Sequence, residues 1–307
     1  MTEREGRDTR RMAVIGMFDG VHRGHRYLLG ELKREASLRG LSPLAITFSN
    51  HPLELIAPEK APRLLTDTTT KLRLIAGEGV EGSAIAFDNE LRHTSAEYFL
   101  RMLHDRYGVD ALMMGYNNRF GHNAPEDFEA YRALGKTCGV DIVAAKEYSP
   151  EGLAISSTEI RRLLEQGDTG KAAELLGRDY TLTGTVESGR QLGRHLGFPT
   201  ANLRLSDPRL LVPAPGVYAT TTMGYPAMTN IGVRPTVDNS GTTTIETHII
   251  GYDNNLYGST LTISFRRRIR HERHFSSLEE LVGQLENDRR EALSASQPSV
   301  AATDSQC

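Results

Sequence analysis

The stretch Met12-Ala-Val-Ile-Gly16-Met-Phe-Asp19-Gly20-Val-His22-Arg-Gly24-His25 decides how this chain is read. Met12 to Ile15 is continuously apolar, as a strand covered on both faces would be. Gly16 and Gly20 break it, with Asp19 between them as turn chemistry. His22 and His25 follow at an i, i+3 spacing, which places both imidazoles on one face of the helix that starts here. A helix start directs free N–H groups and a positive dipole end at whatever lies above it. Gly24 removes a side chain between the histidines, so a ligand can approach the backbone. Strand, glycine turn and helix in this order describe a phosphate site with two neutral or cationic donors over it. Zinc is a poorer reading, because no third His, Cys or carboxylate stands at ligand spacing nearby.

Length and composition set the frame. A chain of 307 residues predicts about two domains. The formal charge of −3 provides no basic field to recruit nucleic acid or an anionic membrane surface. The two cysteines, Cys138 and Cys307, make no disulfide framework and fit a reducing cytoplasm. No apolar run approaches membrane-spanning length, and the charged stretch Met1 to Arg11 lacks the apolar centre of a secretory signal. That stretch reads as a frayed arm, and the Ser/Ala/Gln/Pro-rich end as a disordered tail over 295–307.

Outward from the opening strand, the first half alternates. A helix is predicted from His22 to Arg39, stopped by Gly40, then a strand from Leu44 to Phe48. A helix over Thr70 to Ala76, a strand over Ser83 to Phe87 and a capping box at Thr94-Ser-Ala-Glu97 opening a helix to Tyr107 follow. Next come a strand at Ala111 to Met114, a helix at Pro125 to Thr137 and a strand at Val140 to Ala145. Repeated βα units mean a parallel sheet with helices on both faces, and ligands bind at the carboxyl ends of its strands. Two further stretches lie past strand ends. Gly115-Tyr-Asn-Asn-Arg-Phe-Gly121 reads by itself as a surface loop. Ile155-Ser-Ser-Thr-Glu-Ile-Arg161 reads as a capped helix start that also gathers hydroxyls, N–H groups and Arg161 around an anion.

The period changes near Arg178. Thr181 to Val186, Gly216 to Thr222, Thr244 to Ile250 and Leu261 to Phe265 are β-branched or alternating, with no helix between them. This predicts an antiparallel barrel or sandwich, with a helix from Ser276 to Leu293 at the end. The expected domains are therefore 12–178 and 179–294. Gly189, Gly193 and Gly197 punctuate a loop that is by itself only a flexible hairpin. It leads into Phe198-Pro-Thr-Ala-Asn202, where Thr200 and Asn202 at i, i+2 point the same way and offer hard oxygen ligands suited to Mg²⁺. Glu246 faces opposite Ile245 and, taken alone, reads as solvent-exposed.

These motifs resemble those of one family. Gly16-Met-Phe-Asp-Gly-Val-His-Arg-Gly-His25 is similar to the His-x-Gly-His box of nucleotidyltransferases, in the longer form found in the bifunctional bacterial riboflavin kinase/FMN adenylyltransferases, also called FAD synthetases. Gly115, Asn117, Phe120 and Gly121, the Ile155–Arg161 string, Pro199-Thr-Ala-Asn202, Asn230-Ile-Gly-Val-Arg-Pro-Thr236, Ile245-Glu-Thr-His248 and Ile269–Phe275 match further elements of it. Asn123-Ala-Pro-Glu departs from the family's basic, glycine-containing continuation, and Met17 from its usual Asn.

The resemblance implies an α/β + β chain. Its N-terminal half would be a Rossmann-like nucleotidyltransferase domain with a parallel sheet. Its C-terminal half would be a small antiparallel β-barrel with a C-terminal helix. It implies phosphorylation of riboflavin to FMN by ATP in the second half, then adenylylation of FMN to FAD in the first. His22, His25, Arg161 and Glu246 would be catalytic, with Glu246 the general base. Gly16, Phe18, Asp19, Gly24, Asn117, Ser157 and Thr158 would surround nucleotide and flavin in the first half. Gly189, Gly193, Arg194, Gly197, Pro199, Thr200 and Asn202 would do so in the second, with Mg²⁺ on Thr200 and Asn202. The expected partners are ATP, riboflavin and FMN, without nucleic acid or membrane, and a homo-oligomer is left open. Three other readings stand beside this one: a nucleotidyltransferase with another acceptor, a flavin-binding regulator without catalysis, and a nucleic-acid-binding barrel. The last is supported only by Arg266-Arg-Arg-Ile-Arg270.

Overall fold

The computed structural model describes residues 9–115, 119–122, 124–146, 148, 155–189, 193, 196–234 and 242–296. The chain forms two compact units, Met1–Ser157 and Thr158–Cys307.

In the first unit, β1 (Arg11–Ile15), β2 (Ser42–Phe48), β3 (Glu81–Ile85), β4 (Val109–Met114) and β5 (Asp141–Ala144) form one sheet. Its order is β3-β2-β1-β4-β5, and every neighbouring pair is parallel. The order reverses between β1 and β4, so the crevice above their carboxyl ends is where such a sheet binds its ligand. The apolar run of β1 divides between two cores. Ala13 joins one side, with Phe99, Leu100 and Tyr131. Met12 and Val14 join the other, with Leu29, Leu32 and Ile75. Helices α1 (Arg23–Leu38) and α3 (Thr68–Gly77) supply the second side; α5 (Ala96–Tyr107) and α6 (Phe128–Thr137) supply the first. The short helices α2 (Pro52–Ile56) and α4 (Asn89–His93) bury no residue, and lack the apolar stripe by which the sequence reveals a helix. Helix α5 is capped one residue later than the sequence box predicts. Ser95 accepts from the Tyr98 N–H, while Thr94 closes α4. Helix α6 likewise starts late, capped by Asp127.

The second unit begins with α7 (Ser157–Glu165), whose first residue belongs to the first unit, and α8 (Thr169–Leu176). The strands are β6 (Tyr180–Glu187), β7 (Ala201–Leu205), β8 (Gly216–Thr222), β9 (Tyr225–Arg234), β10 (Thr242–Ile249) and β11 (Thr260–Arg270). They close into a barrel, in the order β10-β7-β6-β11-β8-β9 with antiparallel pairing. Strict alternation of burial along β6 marks the inward-facing residues. The C-terminal helix α9 (Leu278–Ser296) lies on β8, β9 and β11, and its Ala292 is fully buried. By packing, the chain divides after Ser157, ahead of the change in period near Arg178. Thr169 Oγ1 donates to Arg266 O at 3.2 Å and Ala214 N to Leu164 O at 3.0 Å, so the two helices before the barrel are bonded to it. Most of the expected N-terminal arm and C-terminal tail falls outside the described residues.

Candidate active sites

At the end of β1 the backbone turns through three positive φ angles: Phe18 at 48°, Gly20 at 80° and Val21 at 37°. For a bulky or β-branched residue this conformation is costly and must be held by its surroundings. The brace comes from the segment before α3. The Asp19 carboxylate, 2% exposed, accepts from the N–H groups of Leu65 (2.9 Å) and Thr66 (3.1 Å) and from Thr66 Oγ1 (3.3 Å). Gly20 N donates to Thr66 Oγ1 at 3.1 Å, and Ser157 Oγ donates to the Asp19 carbonyl at 2.9 Å. Met17 O accepts from Thr47 Oγ1 and from Lys71 Nζ. Asp19 and Ser157 are thus bonded to the protein itself. Sequence reasoning missed Leu65, Thr66 and Lys71, because two of the partners are backbone donors and a helix-start lysine has no motif.

His22 caps α1, its Nδ1 accepting from His25 N at 3.3 Å. An accepting Nδ1 leaves the proton of a neutral imidazole on Nε2, as a donor. The two rings stack with centroids 3.6 Å apart and planes 14° apart. Two imidazolium ions do not tolerate that separation in a partly buried site. Burial, then His22 and then Lys71 hold the His25 pKa well below the ordinary histidine value. His25 Nδ1 is buried and has no hydrogen-bond partner among the described residues. His25 is therefore neutral near pH 7 and offers a hydrogen bond without net charge. Phe18 is buried and sets its ring edge on His25 at 5.2 Å. Gly16 and Gly24 are tight: a Cβ would come to 3.3 Å from the Phe18 ring and 3.2 Å from the His22 ring.

A cavity of about 460 Å³ opens beside this turn, lined by Gly16, Phe48, Phe87, Met114 and Phe120 among others. Phe120 brings in the loop after β4, because its N–H and carbonyl are both bonded to Tyr131 Oη. Gly121 is required there, since a Cβ would lie 2.4 Å from Ala96 N and φ is +91°. Asn117 lies outside the described residues. Thr158 is exposed and Arg161 half-buried on α7, in the second unit.

In the barrel, register builds a polar row. Asn202 on β7 pairs with Glu187 on β6 and with Glu246 on β10, and Glu246 pairs with Asn230 on β9. Directly paired residues share a face, so these side chains are neighbours. Two glycines before β7 are closely packed, Gly189 against the row and Gly193 against Phe198. A Cβ on Gly189 would lie 2.2 Å from Asn202 Nδ2, and one on Gly193 2.2 Å from Phe198 O; Gly197 has φ +83°. Arg194 lies outside the described residues. Pro199 O accepts from His248 Nδ1 at 2.9 Å, which fixes the bend before Thr200. Burial lowers the His248 pKa against the opposing effect of that bond.

Thr200 lines two cavities. One, of about 280 Å³, also holds Glu246, Asn230, Arg270 and Phe275. The other, of about 330 Å³, is walled by Pro199, Ala201 and the segment Tyr252–Tyr257. In the arginine cluster of β11, Arg266 pairs with Asp179, Arg267 with Glu291 and Arg270 with Asp288. Among the described residues no group of three or more His, Cys, Asp or Glu could enclose a metal, and no helix is long and apolar enough to cross a membrane.

Comparison with known proteins agrees with this geometry. Residues 5–159 match the FAD synthetase family and residues 176–295 the riboflavin kinase family. The chain is 37% identical over 294 residues to the bifunctional riboflavin kinase/FMN adenylyltransferase of Pseudomonas fluorescens, covering 94% of each chain. It is 38% identical over 282 residues to that of Escherichia coli K12, covering 90% of this chain and 89% of the relative. A crystal structure described as a macrolide-efflux protein from Streptococcus pneumoniae superposes with a TM-score of 0.83 at 29% identity, covering 94% of this chain and 95% of the other. A parallel-sheet half with a histidine turn, a closed barrel with a Thr-Ala-Asn strand, and end-to-end similarity to these relatives lead to one conclusion: the chain belongs to the family of bifunctional riboflavin kinase/FMN adenylyltransferases.

Proposed function

We propose that the two reactions of this family are divided between the two sites according to what each nucleophile needs. The chain phosphorylates riboflavin with ATP in its C-terminal half and adenylylates the resulting FMN in its N-terminal half. An alcohol needs a proton acceptor and a phosphate monoester does not. The observation that carries the assignment is that the barrel site presents a carboxylate, Glu246, whereas the sheet site presents a stacked histidine pair.

In the barrel, Glu246 takes the proton of the riboflavin 5′-hydroxyl while the oxygen attacks the γ-phosphorus and ADP leaves. Thr200, facing both cavities, stands where the two substrates meet. Riboflavin occupies the Glu246 cavity and ATP the one walled by Tyr252–Tyr257, with Gly189, Gly193 and Gly197 letting backbone close over the phosphates. The families on both sides use a divalent metal. The donors here fit Mg²⁺: a hydroxyl and an amide oxygen, with no protein cage around them, leave room for phosphate oxygens and water. Thr200 and Asn202 would hold it, and its chemistry is neutralisation of phosphate charge.

In the sheet half, an FMN phosphate oxygen attacks the α-phosphorus of ATP and pyrophosphate leaves. His22 and His25 donate to the phosphate oxygens as charge builds there. The apolar cavity beside Gly16 takes the flavin ring. Gly16, Gly24 and Asn117 contact nucleotide or flavin, and Phe18, Asp19 and Ser157 hold the turn. The buried free thiol of Cys138 fits a cytoplasmic enzyme.

Rates measured separately for riboflavin→FMN and FMN→FAD test the division. His22→Ala or His25→Ala is expected to slow FAD formation by about a hundred- to a thousandfold and let FMN accumulate. Glu246→Gln is expected to stop at riboflavin, yet make FAD when supplied with FMN. Equal loss of both activities in His22→Ala would overturn the assignment. Absence of any flavin product from the unmodified chain would favour the regulatory reading.

A further inference from the structure

Lys71, on α3, is 3% exposed. Its Nζ donates to Phe48 O at 2.7 Å and to Met17 O at 3.1 Å. Phe48 is the last residue of β2, and Met17 is the second residue past the end of β1. The ammonium therefore joins the carboxyl ends of two adjacent parallel strands, at the first residues of the histidine turn. Strand-end carbonyls expose their negative ends, an unfavourable lining for a phosphate site. Burying an ammonium is costly unless the surroundings compensate it, so its presence here needs a reason beyond filling space.

We propose that Lys71 is the fixed positive charge of the adenylyl-transfer site and a positioning residue for the histidine turn. The proposal rests on the reading of His22 and His25 as the donors in FAD formation. A neutral His25 gives direction to its hydrogen bond but no net charge. The transition state at the α-phosphorus is anionic, and a cation held in a partly desolvated site stabilises it with no reorganisation at the moment of reaction. Lys71 is tied by main-chain carbonyls and stays in place as substrates come and go. Its field reaches His25, where it adds to burial and to His22 in opposing protonation. The titratable neighbours that act on His25 are thus His22, at the cap of its own helix, and Lys71, from α3. The carboxylates on the elements around them are engaged elsewhere: Asp19 by Leu65 and Thr66, and Asp67 by the N–H and hydroxyl of Thr70. One lysine thereby does two things, supplying charge and helping to keep the His25 imidazole neutral.

The test uses the full chain and three variants, Lys71→Gln, Lys71→Arg and His25→Ala. Measurements are both flavin rates against pH and the titration of the His25 ring by NMR. Lys71→Gln retains a donor for the two carbonyls and removes the charge. It is expected to lower kcat for FMN→FAD by about ten- to a hundredfold, leaving riboflavin→FMN in the same chain unchanged. With the cation gone, His25 protonates more readily, so the acid limb of FAD formation and the ring titration both move to higher pH. Lys71→Arg restores the charge and is expected to return both towards the parent. Three outcomes would overturn the proposal. In one, Lys71→Gln slows FAD formation while the acid limb and ring titration stay put, which makes the lysine only an anchor of α3. In another, both rates are unchanged. In the third, His25 of the parent chain titrates at the ordinary value, which sinks the idea whatever the variants do. If His25→Ala leaves FAD formation intact, the assignment of the site has failed instead of the role of the lysine.

Discussion

A single imidazole links chemistry to stability in the sheet half. In the unfolded chain His25 titrates near the ordinary value of about 6.5. In the folded chain its pKa is depressed, by burial first and then by its two cationic or titratable neighbours. Above about pH 6.5 neither state carries the proton, and the site contributes its full stability. As pH falls below that value, the unfolded chain binds a proton that the folded chain refuses, and stability is lost until the folded pKa is reached. His248, lowered by burial in the barrel, acts with the same sign. Thermal unfolding followed from pH 8 to pH 5 is therefore expected to show a falling midpoint. His25→Asn is expected to flatten the part of the slope that belongs to the sheet half. An unchanged slope in that variant would mean that His25 is solvated as an ordinary surface histidine. The histidines themselves were legible from their spacing after a strand and glycine turn; the protonation of His25 was not, because its burial and the charge of Lys71 come from segments brought together only by folding.

Elements hold these residues where they act, and the clearest case is α9. Arg270 at the end of β11 forms a two-pronged pair with Asp288, whose side chain is fully buried, and Gln284 Nε2 completes the carboxylate at 2.8 Å. Arg270 and Arg273 both lie over the Phe275 ring beside the Glu246 cavity. Removing one partner of a buried pair strands the other charge. Asp288→Ala is expected to destabilise the barrel half by about 3–5 kcal/mol in urea unfolding. It is also expected to raise the KM for riboflavin while FAD formation from FMN holds; an unaltered urea midpoint would show that α9 does not depend on the pair. The helix itself was foreseen within a few residues, as was the strand that bears Glu246, while β7 was foreseen only as an extended segment. Less legible were β9, where Pro226, Asn230 and Gly232 interrupt the β-branched pattern, and α2 and α4, which bury nothing. The cap at Ser95 shows a finer limit. Thr94 and Ser95 are chemically equivalent caps, and the choice is made by Thr94 closing the helix before it.

Taken whole, the chain is two units whose division by packing precedes the change in sequence pattern. The buried Leu175 and Leu176 of α8 and the bond from Thr169 to Arg266 tie that helix to the barrel. A fragment of residues 158–296 is expected to unfold cooperatively and to phosphorylate riboflavin. One beginning at residue 180 is expected to melt lower, having lost the helix that covers β6 and β11. Equal melting temperatures for the two would place the boundary near Arg178 after all. The periodicity marks where strands begin, while packing reports which helices they need, and only the first can be read from one sequence.

The open sheet and the closed barrel also differ in how they meet other molecules. A barrel has no free edge, whereas the sheet has two, β3 and β5. Both are short, and each begins on an acid paired with an arginine: Glu81 with Arg11, and Asp141 with Arg39. Charge at the lip of an edge discourages another chain from adding a strand there. The two surface ion pairs contribute little to folding free energy. Their worth is colloidal: they keep concentrated copies, and chains newly made on a ribosome, from joining edge to edge before the flavin sites are ever used.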